Sequence, residues 1–164
     1  MNHVTLAGTG LRTSRFIFGT ASLFNVGGRR RRLALLEAAI DRGFTHFDTA
    51  PYYGFGWAER DLGAVLKRHP GITVTTKVGI YSPGGEFQSQ ASVLLRKAAG
   101  RAIPALSKPA VDFALTRARR SLTDSLNRLQ CEQVAAYMLH EPEIELLDTD
   151  EWQRWLDEIG RAHV

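Results

Sequence analysis

Cysteine is nearly missing from this sequence: Cys131 stands alone among 164 residues. One thiol cannot close a disulfide within the chain, which excludes a disulfide-stapled scaffold and suits a reducing cytosol. A cytoplasmic setting is therefore expected. Long apolar runs are missing too, and nothing approaches the roughly 18 residues that a membrane-spanning helix requires. The opening MNHVTLAGTG has no basic start leading into an apolar stretch, so no secretory leader is expected there. Charge of one sign is also scarce. Lysine and arginine number 21 against 17 acidic residues, a net charge of +4, too mild and dispersed for a nucleic-acid surface. Neither nucleic acid nor membrane is expected as a partner. Lysine occurs only at positions 67, 77, 97 and 108, so each one is worth locating. What is present, 44 % hydrophobic and 23 % charged residues, suits one globular domain.

The apolar periods alternate. Val4 to Leu6 and Leu11 to Ser14 flank Gly8-Thr9-Gly10, the pattern of a short hairpin. The apolar run from Phe16 to Ala21 reads as a buried strand. Leu33, Leu36 and Ile40 then recur at helical spacing, with Gly43 as the C-cap. Arg29 to Arg32 read as the solvated first turn of that helix, a phosphate contact being the lesser alternative. Residues 44–48 are strand-like, Leu62, Val65 and Leu66 mark a second helix, and the β-branched run 72–77 predicts a strand. Residues 81–109 break the rhythm with Pro83, Gly84, Gly85, Gly100, Pro104 and Pro109 around a short helix at 91–99, so a long loop is expected. A long amphipathic helix follows through Leu115, Ala118, Leu122, Leu126 and Leu129, and Val134 to Leu139 reads as a fourth strand. Asp148 to Glu151 resembles a capping box, opening a helix with Trp152, Trp155, Leu156 and Ile159 on one face. Four strand-helix units behind a hairpin predict parallel strands, in either an open doubly wound sheet or part of a (β/α)8 barrel.

Asp48, Lys77 and His140 each end a predicted apolar strand, the end at which parallel α/β folds gather their sites. Tyr53 follows Asp48 by five residues and can fold back over the same end. A phenol is a poor acid near neutral pH; a neighbouring ammonium favours phenolate, and a carboxylate keeps that ammonium charged and oriented. With a histidine donating to the same oxygen, such a group suits proton transfer at a carbon undergoing redox or addition chemistry. Two plainer readings stay open: Asp48 and Lys77 as a structural ion pair, and His140 as a satisfied core histidine. A metal reading also stays open, in which His46, Asp48 and His140, with a carbamylated Lys77, would hold zinc in a barrel hydrolase.

Phe47-Asp48-Thr49-Ala50-Pro51-Tyr52-Tyr53-Gly54, followed by Gly56 and Glu59, resembles the signature of the aldo-keto reductase superfamily. Thr75-Thr76-Lys77-Val78-Gly79 is similar to that family's lysine strand, and Tyr137-Met138-Leu139-His140-Glu141-Pro142-Glu143 to its histidine strand. Residues 120–129 resemble the helix between them, and the wording is nearest to the aldose and sugar dehydrogenase branch. The resemblance implies a (β/α)8 TIM barrel and an NAD(P)(H)-dependent oxidoreductase that interconverts carbonyl and alcohol. It implies catalytic roles for Asp48, Tyr53, Lys77 and His140, with Tyr53 as proton donor and no metal. It also implies cofactor contacts from Gly19, Thr20, Ala21 and Asp48, with NADP(H) preferred over NAD(H). A small carbonyl compound or sugar would be the substrate, contacted by His140, Tyr52 and Trp57. Phe24, Tyr52, Phe55 and Trp57 sit in loops at that end, where stacking on a substrate and ordinary loop packing are equal readings.

The family barrel runs to about 250 residues, whereas only four strand-helix units are found here. Residues 1–164 are therefore expected to be a partial barrel domain. The second-half groups that grip the nicotinamide and the adenosine phosphate cannot be located. Three expectations follow: an incomplete piece of a longer reductase, a half barrel that closes by dimerising, or a non-catalytic binding or regulatory protein. In a half barrel the outer strands would be open edges and the inward strand faces an apolar patch, favouring self-association.

Overall fold

A computed structural model describes residues 1–100, 102–103, 108–147 and 149–161; side chains are described for all of these except 147, 151, 152 and 158–161. The expected hairpin forms, β1 (His3–Thr5) pairing antiparallel with β2 (Arg12–Ser14). Next comes β3 (Phe18–Gly19), only two residues long. Phe16 and Ile17, read from sequence as buried strand, are 63 % and 47 % exposed. The reason is position: β3 is the sheet's edge, pairing only with β4 through Phe18↔Phe47 and Gly19↔Asp48. A short 3-10 turn, Leu23–Val26, leads into α1 (Arg29–Asp41).

The rest alternates as the apolar periods require. β4 (His46–Asp48) is followed by α2 (Trp57–Leu66) and β5 (Thr73–Val78). Then come β6 (Ile80–Tyr81), α3 (Gln90–Ala99), β7 (Ala110–Val111) and α4 (Leu115–Leu129). β8 (Ala136–Leu139), α5 (Ile144–Leu147) and α6 (Asp150–Arg161) close the described chain. Strands β3-β4-β5-β8 form one four-stranded parallel sheet in which the spatial order follows the chain, β6 and β7 pairing apart from it between β5 and β8. Among the described residues no helix is long and apolar enough to cross a membrane. Asp148 of the expected capping box, Pro104, and the side chains of Glu151, Trp152 and Ile159 lie outside what is described. Trp155 is buried, stacked on Tyr137 at 5.8 Å, while Leu156 of the same expected face is 48 % exposed.

Alternation along each strand separates two faces. Phe47 and Val74 face the helices, where Leu23, Leu36, Leu62, Val65 and Leu129 complete the main core. Burying one such side chain fully contributes roughly 1.5–3 kcal/mol. Ionic links cross that layer. Glu59 on α2 is fully buried; its Oε1 accepts from Thr76 Oγ1 at 2.6 Å and its Oε2 from Arg128 Nε at 2.6 Å. One carboxylate thus ties α2, β5 and α4 together.

Two expectations change here. Arg29, Arg30 and Arg31 are exposed, but Arg32 is buried. Its Nε donates to Asp61 Oδ2 at 2.5 Å, and its guanidinium lies over the rings of Phe24 and Trp57. A helix positions every third or fourth residue toward its neighbour, so the fourth arginine of the run turns inward onto α2. Within 81–109, expected as a long loop around a short helix, the described residues form that helix, α3, with a cap and a paired base. β6 and β7 pair antiparallel (Ile80↔Val111, Tyr81↔Ala110) and tie the two ends of this insertion together. Within it, Ser89 caps α3 by accepting from Ser92 N.

Candidate active site

Parallel strands bring their C-terminal ends to one side, and the ladder sets their stagger. Asp48, last in β4, pairs with Thr75, while Lys77 pairs with Met138 on β8. Lys77 therefore lies two residues beyond Asp48's partner on the same face, and its side chain reaches back. Nζ donates to both Asp48 oxygens at 2.6 Å and to Thr49 O at 3.0 Å. All three ammonium donors are used. The loop after β4 then turns: Tyr53 N donates to Ala50 O, and Ala58 N to Tyr53 O as α2 begins. That turn lays the Tyr53 ring 4.9 Å from Lys77 Nζ, so the ammonium meets the phenol through its ring face. His140, directly after β8, stands edge-on to Tyr53 at 5.4 Å and 89°, and 6.5 Å from the Tyr52 ring. The sheet thus brings together Asp48, Lys77, Tyr53, His140 and Tyr52.

The electrostatics favour a neutral His140. Burial lowers its pKa from 6.5, and the Lys77 charge lowers it further, against opposing pulls from Glu141 and Asp48. Among the described residues its Nδ1, buried, has no hydrogen-bond partner. A buried unpaired N–H costs more than an unpaired lone pair on an imidazole, so the single proton belongs on Nε2. His140 is in this way a hydrogen-bond donor, not a cation.

The remaining candidates divide. Gly19 and Ala21 are exposed beside Asp48, and a Cβ built on Gly19 would meet nothing within 4 Å. Thr20 is fully buried, and both its N and its Oγ1 donate to Asp48 O, so its side chain presents no group to a ligand. Trp57 packs with Phe24, Phe55 and Val93, and its indole donates to Gln88 O at 3.1 Å; it holds the insertion in place. Phe24 and Phe55 are buried in the same cluster.

His46, a ligand in the metal alternative, is engaged by two threonines. Thr73 Oγ1 donates to Thr45 O, so its oxygen accepts from His46 Nδ1 (2.7 Å), and His46 Nε2 accepts from Thr75 Oγ1 (2.8 Å). Neither nitrogen is left for zinc. Burial lowers the His46 pKa, against a smaller opposing pull from Asp48. The sheet face carrying Asp48 and Lys77 is accordingly polar, not the apolar patch expected; Met138, on Lys77's face, is half exposed. Sequence reasoning missed the two threonines as partners of His46, although their i, i+2 spacing matches the strand period.

These features can be set beside known proteins. The profile of the Aldo/keto reductase family matches residues 15–159. The chain is 34 % identical over 151 residues to a D-threo-aldose 1-dehydrogenase from Pseudomonas sp, covering 87 % of this chain and 44 % of that protein. It is 31 % identical over 150 residues to an L-galactose dehydrogenase from Arabidopsis thaliana, covering 87 % and 39 %. Among solved structures, a glycerol dehydrogenase from Gluconobacter oxydans superposes with a TM-score of 0.72 at 27 % identity, over 98 % of this chain and 45 % of that one. A holo-form aldo-keto reductase from Bacillus halodurans shares the fold, with a TM-score of 0.76 at 24 % identity over 99 % and 47 %. This chain thus spans less than half the length of these relatives. Because the profile match spans residues 15–159, and with them the strands that carry Asp48 and Lys77 and lead into His140, the chain belongs to the aldo/keto reductase family.

Proposed function

We propose that this chain carries the proton-transfer side of a nicotinamide-dependent oxidoreductase that interconverts a carbonyl and an alcohol. The substrate class is a small sugar or related carbonyl compound, in line with the aldose and galactose dehydrogenases it resembles. One observation carries the reading: Lys77, charge-paired with Asp48, lies against the Tyr53 ring, and His140 stands perpendicular to the same ring. In the reductive direction Tyr53 Oη gives its proton to the carbonyl oxygen as that carbon becomes a carbinol; in the oxidative direction it takes the proton back. The Lys77 ammonium supplies the positive charge beside which a phenolate oxygen would be left. His140 Nε2–H donates to the substrate oxygen and fixes its direction, and Tyr52 borders the same space.

The surface beside Asp48 fits a nucleotide. Gly19 leaves open space on the sheet's end, and Asp48 keeps 30 % of its side chain accessible. Gly19, Ala21 and Asp48 would hold the nicotinamide side of NADP(H), which when bound supplies or accepts the hydride. The four parallel strands are read as half of a (β/α)8 barrel, since these relatives are more than twice as long.

Replacing Tyr53 by Phe tests the reading. NADPH-linked turnover of aldehydes and aldoses should fall by roughly 10²–10⁴-fold, while quenching of NADPH fluorescence is retained. Undiminished turnover in Tyr53→Phe would move the proton donor elsewhere. A wild-type chain that leaves NADPH fluorescence unquenched would favour a non-catalytic role instead.

A further inference from the structure

Thr20 sits where a nucleotide contact is expected, yet its hydrogen bonds run the other way. It follows directly on β3 and is fully buried. Both of its donors end on one atom: the backbone N–H reaches Asp48 O at 2.9 Å and the Oγ1 hydroxyl reaches the same oxygen at 3.0 Å. The first bond is the ordinary link of a parallel ladder in which Gly19 pairs with Asp48. The second is additional, and it spends the only proton the hydroxyl has.

The accepting carbonyl has a particular place. It belongs to the peptide group joining Asp48 to Thr49, where β4 ends and the loop to Tyr53 begins. The N–H of that same peptide, on Thr49, donates to Thr75 O at 2.9 Å. Three hydrogen bonds, two from Thr20 and one to β5, thus hold one peptide plane. On one side of that plane is the Asp48 carboxylate and on the other the Thr49 carbonyl, the two groups that take all three donors of Lys77. A change of ψ at Asp48 or φ at Thr49 would shift one anchor of the ammonium relative to the other, and with it the distance of Nζ from the Tyr53 ring.

We propose that Thr20 is a positioning residue: it clamps the Asp48–Thr49 peptide, so setting where Lys77 lies against Tyr53, and it makes no side-chain contact with a bound nucleotide. The catalytic part of this inference rests on the function proposed above; the geometric part does not. Thr20→Val keeps the volume and the backbone N–H and removes only the hydroxyl, and Thr20→Ser restores it. A displacement near 1 Å costs up to about a hundredfold in rate, so Thr20→Val should lose about tenfold in kcat, and the pH profile of kcat should move. NADPH affinity should change by less than about twofold, and Thr20→Ser should return kcat to within about twofold of wild type.

A second readout needs no turnover. The ¹⁵N–¹H signal of the Lys77 ammonium, protected by three hydrogen bonds, should broaden or shift in Thr20→Val and recover in Thr20→Ser. If wild type proves inactive, the functional reading fails, while the Lys77 signal still decides the clamp. Should Thr20→Val melt below the assay temperature, Thr20→Cys, similar in size and a weak donor, replaces it with the same expected split. Two outcomes overturn the proposal: tenfold weaker NADPH binding with kcat unchanged, or a Lys77 signal in Thr20→Val that matches wild type.

Discussion

His46 and His140 occupy different parts of the same sheet face, yet burial makes both harder to protonate. His46 is held between two threonine hydroxyls that already satisfy both ring nitrogens, and protonation would force Thr75 to give up its role as donor. For each histidine the folded-state pKa lies below the ordinary value of 6.5, so the folded state binds fewer protons than the unfolded one. Their contribution to stability is fully present above the unfolded value and is lost as pH falls through it toward the lower folded value. The urea midpoint should therefore hold steady near pH 7.5 and fall between about pH 6.5 and 5, where an unperturbed histidine titrates. His46→Gln should flatten part of that fall. Glu37 is separable: its hydrogen bond from Arg68 lowers its pKa from 4.5, so its share is lost only at more acid pH. A midpoint that climbs on acidification would contradict the burial argument. At this scale Asp48, Tyr53, Lys77 and His140 were legible because each is fixed to a strand end or to the tight turn beyond it. Thr20 and Trp57 were not, because which way a side chain turns depends on the acceptor offered to it, Asp48 O for one and Gln88 O for the other.

Among the elements, the insertion between β5 and α4 shows how a segment rich in turn residues acquires a fixed place. Gly79 follows β5 with φ +113°, and a Cβ there would lie 1.9 Å from Cε1 of Phe113. The aromatic ring packs onto bare backbone where the insertion enters and leaves the sheet. Gly79→Ala combines left-handed strain with a clash and should destabilise by about 3 kcal/mol or more. Gly85→Ala is the control: its φ is +83° but nothing lies within 4 Å, so only the backbone cost of about 1 kcal/mol should appear. Denaturant titration of the two variants measures the difference, and equal losses would remove Phe113 from the explanation. The helices themselves were readable from period, and α1, α2 and α4 stand where the leucines put them. The tie of β6 to β7 was not readable, because a two-residue pairing carries no period and spans a long stretch of intervening chain.

Across the whole molecule, stability should be graded outward from β5. That strand has six residues, neighbours on both sides, Val74 and Thr76 buried toward the helices and Thr75 buried on the opposite face against His46. The β1–β2 hairpin exposes every residue of β1. Hydrogen exchange followed by mass spectrometry should find β5 amides slowest, β4 and β8 next, and β1 fastest, since local opening needs least free energy where least is buried. Protection in β1 equal to that in β5 would show instead a single cooperative unit. The amino-acid sequence by itself determined the order of strands and helices, the parallel sheet, and which strand ends carry ionisable groups. Those follow from apolar periodicity and from the ladder that repeats it, both local in the chain. Only the tertiary structure decided that Lys77 meets the phenol ring from its face, that Arg32 turns inward while its neighbours face water, and that Thr20 serves Asp48 instead of a ligand. Each of these depends on which of several acceptors or rings a side chain finds once distant segments have packed, and no spacing along the chain encodes that choice.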